Sequence, residues 1–278
     1  MAPVDHAQSR AFQAAYKIFY PLYVRFYDWH LEGQENIPKT GRLLYVGYHS
    51  IHNHDLFPSA AGIYAATGDL PCALVHTVVM FFLGPILRPV GGIAGTQANA
   101  IAMYRAGHNC MCIPGGGEEA MQGFESAYTL LWKSSSGRDR RGFARLAQHV
   151  GATIVPYVTR NGEEMFFNVL GYMWNLLGLS RAYAALTSAT PMPWRWFLIH
   201  LRMYTWFVVW TFWSLPVPVR AGLVFGEPIV PRDGESDTEL AERTKASLQA
   251  LLHRVNPGGV SYWRGLLQRH HATKASIY

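Results

Sequence analysis

Apolar positions along this 278-residue chain come in short blocks separated by glycine, proline and polar turns, the pattern of strands alternating with helices. In residues 1–35, Phe and Tyr recur on one side and Lys17, Arg25 and Asp28 on the other, which predicts one or two amphipathic helices. A continuous apolar run at 43–46 reads as a buried strand that stops at the small residue Gly47. A helix is expected from near Asp55 to Thr67, stopped by Gly68, and another near 75–83, closed by Gly84-Pro85. Residues 89–96 suggest a short strand edged with glycines, followed by a helix at 97–106. A second apolar strand, 109–113, runs into Pro114-Gly115-Gly116-Gly117-Glu118-Glu119.

The second half continues the alternation. Residues 133–141 form a polar, basic loop, 142–150 a helix stopped by Gly151, 153–158 a β-branched strand, and 217–225 another strand. Ser236-x-x-Glu239 is a capping box that opens a helix to Val255, with Leu240, Leu248, Leu251, Leu252 and Val255 on one apolar face. Together these elements predict an α/β fold, a mostly parallel central sheet flanked by helices. Residues 36–256 read as one domain, preceded by amphipathic, membrane-associating helices over 1–35 and followed by a C-terminal tail over 257–278.

Composition narrows the partners. Half the residues are hydrophobic, 15% are charged and the formal charge is +6, with the positives spread along the chain. No Lys/Arg block marks a nucleic-acid partner. The three cysteines, Cys72, Cys110 and Cys112, form no framework and read as reduced thiols; Cys110-x-Cys112 lacks the second pair that a structural metal site needs. The N-terminal ten residues are polar and do not read as a secretory signal. Residues 72–87 are too short to span a bilayer, which takes about 20 residues. Residues 196–215 are long enough but carry His200 and Arg202 amid several tryptophans, so an interfacial, re-entrant or buried helix is expected there.

Two features carry chemistry. His49 follows the first strand and Asp55 lies six positions on; the glycine turn Gly115–Gly117 closes another strand. A histidine paired with a carboxylate can take a proton from an attacking hydroxyl, and exposed backbone N–H groups on a glycine turn can receive an oxyanion. That combination suits acyl transfer to an alcohol. Ser50 follows the histidine, but no Gly-x-Ser-x-Gly elbow surrounds it.

Gly47-x-His49-x5-Asp55, Gly95-Thr96, Ile113-Pro114-Gly115-Gly116 and Ile154-Val155-Pro156-Tyr157 occur in this order. The set resembles the four blocks of the PlsC-like phospholipid/glycerol acyltransferase superfamily. It is most similar to the branch that holds transmembrane protein 68, the plant phytyl ester synthases and the related mono- and diacylglycerol acyltransferases. The resemblance implies a membrane setting (the endoplasmic reticulum, in a eukaryote), a lipid alcohol acceptor, acyl-CoA or acyl carrier protein as donor, and no bound cofactor. It makes His49 and Asp55 the catalytic pair. Gly115, Gly116, Gly117 and Glu119 become oxyanion- or acceptor-binding residues, and Gly95, Thr96 and Pro156 substrate-binding candidates.

The departures from the family pattern point to the acceptor. Five residues separate His49 from Asp55 where four are usual; Gln97 and Glu118 stand where basic residues are common. Without those cations a neutral glyceride, mono- or diacylglycerol, is favoured over a lysophospholipid with its phosphate. Two other classes compete. His49, His52, His54 and Asp55 resemble part of the His-x-His-x-Asp-His block of metallo-β-lactamase-fold hydrolases, a zinc reading that needs further ligands among His76, His108, His149 and His200. A non-catalytic membrane-associated homologue is the third.

Overall fold

The computed structural model describes residues 9–52, 54, 56–120, 126–133 and 137–275. In chain order the elements are α1 (Arg10–Tyr27), β1 (His30–Glu32), β2 (Arg42–Gly47), α2 (Leu56–Thr67), β3 (Cys72–Val75), α3 (Thr77–Leu87), β4 (Gly92–Ala94), α4 (Gln97–Arg105), β5 (Cys110–Cys112), α5 (Gly116–Ala120), α6 (Gly142–Val150), β6 (Ala152–Arg160), β7 (Phe166–Asn168), α7 (Val169–Leu176), α8 (Leu179–Ala189), α9 (Trp194–Phe212), β8 (Ser214–Pro216), β9 (Gly222–Phe225), α10 (Asp237–Val255) and α11 (Tyr262–Ala275). The main sheet runs β1-β9-β6-β2-β5-β3-β4, and β7 pairs with β8 separately. Every pairing in the main sheet is parallel except β6 with β9. This is the mostly parallel, helix-flanked α/β fold that the sequence alternation predicts.

β2 sits centrally, and its apolar run reflects burial on both faces. Leu44 and Val46 enter the cluster formed with α4, α6 and α10. Leu43 and Tyr45 enter the cluster formed with α1 and α2. The capping box at Ser236 and Glu239 is formed, and the five predicted apolar residues of α10 are all buried. Those packed faces hold the sheet rigid, so the loops at its strand ends have a fixed frame.

Several boundaries differ from expectation. Residues 72–75 form a strand because Cys72 and Ala73 pair with β5 and β4. α3 then runs through Gly84-Pro85 to Leu87, giving up the hydrogen bond that Pro85 cannot donate. The strand expected over 217–225 is shorter: only β9, Gly222–Phe225, joins the main sheet, while β8 just before it pairs with β7. Residues 257–278, expected as a tail, carry α11. Arg264 Nη2 there donates to the fully buried Glu164 carboxylate at 2.9 Å, and Asn161 Nδ2 donates to Gln268 Oε1 at 2.7 Å. α1 buries Phe12 and Tyr27 in the core yet leaves Ile18, Phe19 and Leu22 more than half exposed.

Between β7 and β8 the chain makes a helical excursion, α7–α9, of which α9 is the helix expected near 196–215 and α7 and α8 were not read from the sequence. Trp194, Trp196, Phe197 and Leu201 on α9 are more than half exposed. Arg202, the charge that makes this segment a poor bilayer span, lies 4.8 Å from the centre of the Tyr183 ring and 6.0 Å from that of Trp206. Its cation is sheltered by aromatic faces, and burial lowers its pKa. Among the described residues no helix is long and apolar enough to cross a membrane.

Gly47 ends β2 because nothing larger fits: a methyl group there would lie 2.3 Å from the Tyr157 ring, which crosses from the opposite position on β6. Gly47→Ala should therefore destabilise the fold by about 1–3 kcal/mol, seen as a lower urea midpoint. An unchanged midpoint would mean that Tyr157 has room to swing aside.

Candidate active site

β2, β5 and β6 lie side by side and parallel, with Val46 opposite both Cys112 and Pro156. Their C-terminal ends therefore open on one edge of the sheet, the edge where open α/β sheets bind ligands. His49 stands two residues past β2, and the glycine turn stands just past β5. The parallel register alone makes them neighbours.

One carboxylate ties the two loops together. Glu119, on α5, is buried, and its Oε2 accepts the His49 backbone N–H at 3.0 Å. Its Oε1 accepts the Leu131 N–H at 2.8 Å. This is a different role from the acceptor-binding one expected of Glu119: both oxygens hold backbone. The glycine turn makes it possible. A methyl group at Gly115 would lie 2.2 Å from the Glu119 carboxyl carbon, so the carboxylate folds back across a bare Cα. Gly116 has φ +54°, the left-handed region that suits glycine, and its N–H is engaged by the Ile113 carbonyl at 3.1 Å. Gly116 is thereby committed to the turn. Gly117 lies in the first turn of α5, where helical N–H groups have no intrahelical acceptor.

His49 is half-buried, and its Nδ1 is shielded from solvent. Asp55, the expected carboxylate partner, lies outside the described residues. The other expected substrate residues are placed elsewhere. Gly95 and Thr96 follow β4, which is three strand spacings from β2, roughly 14 Å across the sheet. The Gly95 and Thr96 N–H groups bond to the Val75 and Ala94 carbonyls, and the Thr96 hydroxyl caps α4. Pro156 is buried within β6, with its carbonyl accepting the Gly226 N–H at 2.8 Å.

The structure adds Arg140 and Glu163, which motif spacing did not single out, and gives Gln97 a structural bond. Arg140 Nη1 lies 3.3 Å from where a Gly116 side chain would begin. A guanidinium from the loop at 133–141, expected to be merely solvated, thus stands beside the glycine turn. Gln97, which replaces a basic residue, donates from Nε2 to the Gly142 carbonyl at 2.6 Å and links α4 to α6. Glu163, fully buried after β6, accepts the Tyr48 hydroxyl at 2.5 Å and the Ile51 N–H at 3.1 Å. A run of two glutamates between the polar turn Arg160-Asn161-Gly162 and the apolar Met165-Phe166-Phe167 was the available signal.

Of the cluster in the zinc reading, Asp55 lies outside the described residues, and His52 and His54 both lie against Phe166. His52 turns Nδ1 to Ser214 Oγ at 3.2 Å and Nε2 to the Glu163 carbonyl at 3.1 Å. His54 stacks on Phe166, ring centres 4.2 Å apart. Among the described residues no group of three His, Cys, Asp or Glu side chains is arranged to hold a metal ion.

No protein-family profile matches the chain. A "DGAT1/2-independent enzyme synthesizing storage lipids" from Homo sapiens is 29% identical over 252 residues, covering 87% of this chain and 67% of that protein. The chloroplastic phytyl ester synthase 1 of Arabidopsis thaliana is 26% identical over 150 residues, 51% of this chain and 21% of that one. The chain thus spans about two thirds of the storage-lipid relatives and about a fifth of the phytyl ester synthase. The crystal structure of a 1-acyl-sn-glycerophosphate acyltransferase, PlsC, from Thermotoga maritima superposes with a TM-score of 0.48 at 14% identity, covering 91% of this chain and 86% of that one; so loose a likeness carries nothing on function. These sequence relatives, storage-lipid and phytyl ester enzymes, agree with the resemblance of the chain's ordered blocks to the PlsC-like phospholipid/glycerol acyltransferase superfamily.

Glu119→Ala should leave two backbone donors without their acceptor, at about 1–3 kcal/mol each. Urea unfolding should register this as a clear loss of midpoint, while Glu227→Ala, at an exposed position, stays within about 0.5 kcal/mol of wild type. Equal midpoints for the two variants would refute the bridging role.

Proposed function

We propose that this protein is a membrane-associated O-acyltransferase that moves a fatty acyl group from acyl-CoA to a lipid alcohol, most readily a neutral glyceride. The single observation that carries this reading is the tie between the His49 loop and the glycine turn through Glu119. His49 Nε2 accepts the proton of the acceptor hydroxyl as its oxygen attacks the thioester carbon. Asp55 holds the other ring nitrogen and stabilises the imidazolium. N–H groups of the turn, those of Gly115 and Gly117 foremost, receive the oxyanion. Collapse of the adduct breaks the C–S bond, the coenzyme A thiolate takes up the proton from His49, and ester and free thiol depart.

Gln97 and Glu118 in place of cations, together with a storage-lipid enzyme among the relatives, support a neutral acceptor. Arg140 beside Gly116 favours a second reading, a lysophospholipid acceptor whose phosphate that guanidinium would meet. Acylation of mono- and diacylglycerol against lysophosphatidate by the purified protein decides between them. The expected result is faster turnover of a neutral glyceride, and His49→Ala should cut that turnover by about three orders of magnitude or more while leaving the fold intact. Wild-type turnover in His49→Ala would end the acyltransferase mechanism; faster lysophosphatidate acylation would select the second reading.

The exposed apolar side chains of α7–α9 support residence on a membrane, of endoplasmic-reticulum type in a eukaryotic cell. Phe197 and Leu201 lie one helical turn apart on α9 and are both about half exposed. Replacing both with Glu removes apolar contacts of about 1.5–3 kcal/mol each, so the fraction floating with phosphatidylcholine vesicles should fall by at least about tenfold. Undiminished flotation would remove this helix from the membrane contact.

A further inference from the structure

The segment 48–52 carries His49 but belongs to no strand or helix, and most of it is buried. Buried irregular backbone must find its hydrogen bonds outside secondary structure. Glu119 supplies one at His49 itself. On both sides of the histidine, hydrogen bonds from the loop reach a second carboxylate, Glu163.

Glu163 Oε1 accepts the Tyr48 hydroxyl at 2.5 Å and Oε2 accepts the Ile51 N–H at 3.1 Å. Its carbonyl faces His52 Nε2 at 3.1 Å, and its own N–H donates to the Tyr128 hydroxyl at 3.2 Å. The clamp closes on itself, because the Tyr128 N–H donates to the Tyr48 hydroxyl at 2.9 Å. Tyr128 has φ +63°, a conformation unfavourable for a residue with a side chain that persists where surroundings over-determine it. Burial, followed by the charge of Glu163, keeps the Tyr48 phenol protonated and therefore a donor.

We propose that Glu163 is a positioning residue for catalysis: it fixes the aim of the His49 ring by gripping the residues on both sides of it. The proposal rests on the acyltransferase reading above. It also explains the residue type. A carboxylate is acceptor-only and can serve a phenol and a backbone N–H at once, one per oxygen; an amide has a single acceptor oxygen and would turn N–H₂ against one of these donors. Glu163 acts through the loop that it grips.

The test is steady-state kinetics of the full-length protein in detergent micelles, with the glyceride that proves the better acceptor, on Glu163→Gln, Glu163→Asp, Tyr48→Phe and His49→Ala, each checked by circular dichroism. Misaim of a base by about 1 Å is expected to lower kcat by about 10- to 100-fold. The KM values for acyl-CoA and acceptor should stay within about twofold, since the ground-state contacts are elsewhere. Glu163→Asp, which keeps the charge on a shorter stem, should recover part of the loss, and Tyr48→Phe should lose less than Glu163→Gln. A folded Glu163→Gln with wild-type kcat overturns the proposal, as does a loss expressed wholly in KM. Should Glu163→Gln fail to fold, wild-type kcat in both Glu163→Asp and Tyr48→Phe overturns it equally. Wild-type turnover in His49→Ala would instead bring down the acyltransferase reading, whereas an inactive His49→Ala beside wild-type-like Glu163 variants would remove only the role of Glu163.

Discussion

Five residues of irregular chain have to be held still in the protein interior, and the structure does this with buried carboxylates. Apolar packing alone can fill the space around residues 48–52 but offers their N–H groups nothing. Glu119 reaches the loop from the β5 side and Glu163 from the β6 side. Each would be costly to bury without donors, and each has backbone or phenolic donors supplied. The donors need the acids as much as the acids need the donors, so the loop has one arrangement with low energy. The bare Cα atoms of Gly47 and Gly115 are part of the same constraint: one lets the Tyr157 ring cross the strand end, and the other lets the Glu119 carboxylate fold back.

Much of this was legible in the sequence because it depends on local rules. The apolar run that became β2, the capping box at Ser236 and the glycine turn after β5 each follow from residue type and spacing, and their juxtaposition follows from a parallel sheet. What could not be read was which partner each polar residue finds across long loops. Glu119 looked like an acid facing substrate, and only the fold directs it to backbone 70 positions earlier. Arg140 looked like one more charge in a solvated loop. Thr96 looked like a substrate group and is a helix cap. Of the α7–α9 excursion only the last helix was legible, as the aromatic and apolar stretch near 196–215.

That excursion is not a separate appendage. Ile51, two residues past His49, packs with Trp206, Trp174 and Val209. Asn168, which caps α7, also donates to the Val209 carbonyl at 2.9 Å and contacts Ser214 Oγ at 3.2 Å. Ser214 in turn meets the His52 ring. The aromatic helices with exposed apolar outer faces are therefore continuous with the loop that carries the histidine.

Most direct of all is a crystal structure with a non-cleavable thioether analogue of acyl-CoA in place. The expected result is an acyl carbon at the mouth between the glycine turn and residue 49, with an acceptor oxygen able to approach it to about 3–3.5 Å while bonded to His49 Nε2. An analogue seated elsewhere, with that ring out of reach of the acyl carbon, would contradict the convergence on which everything else depends.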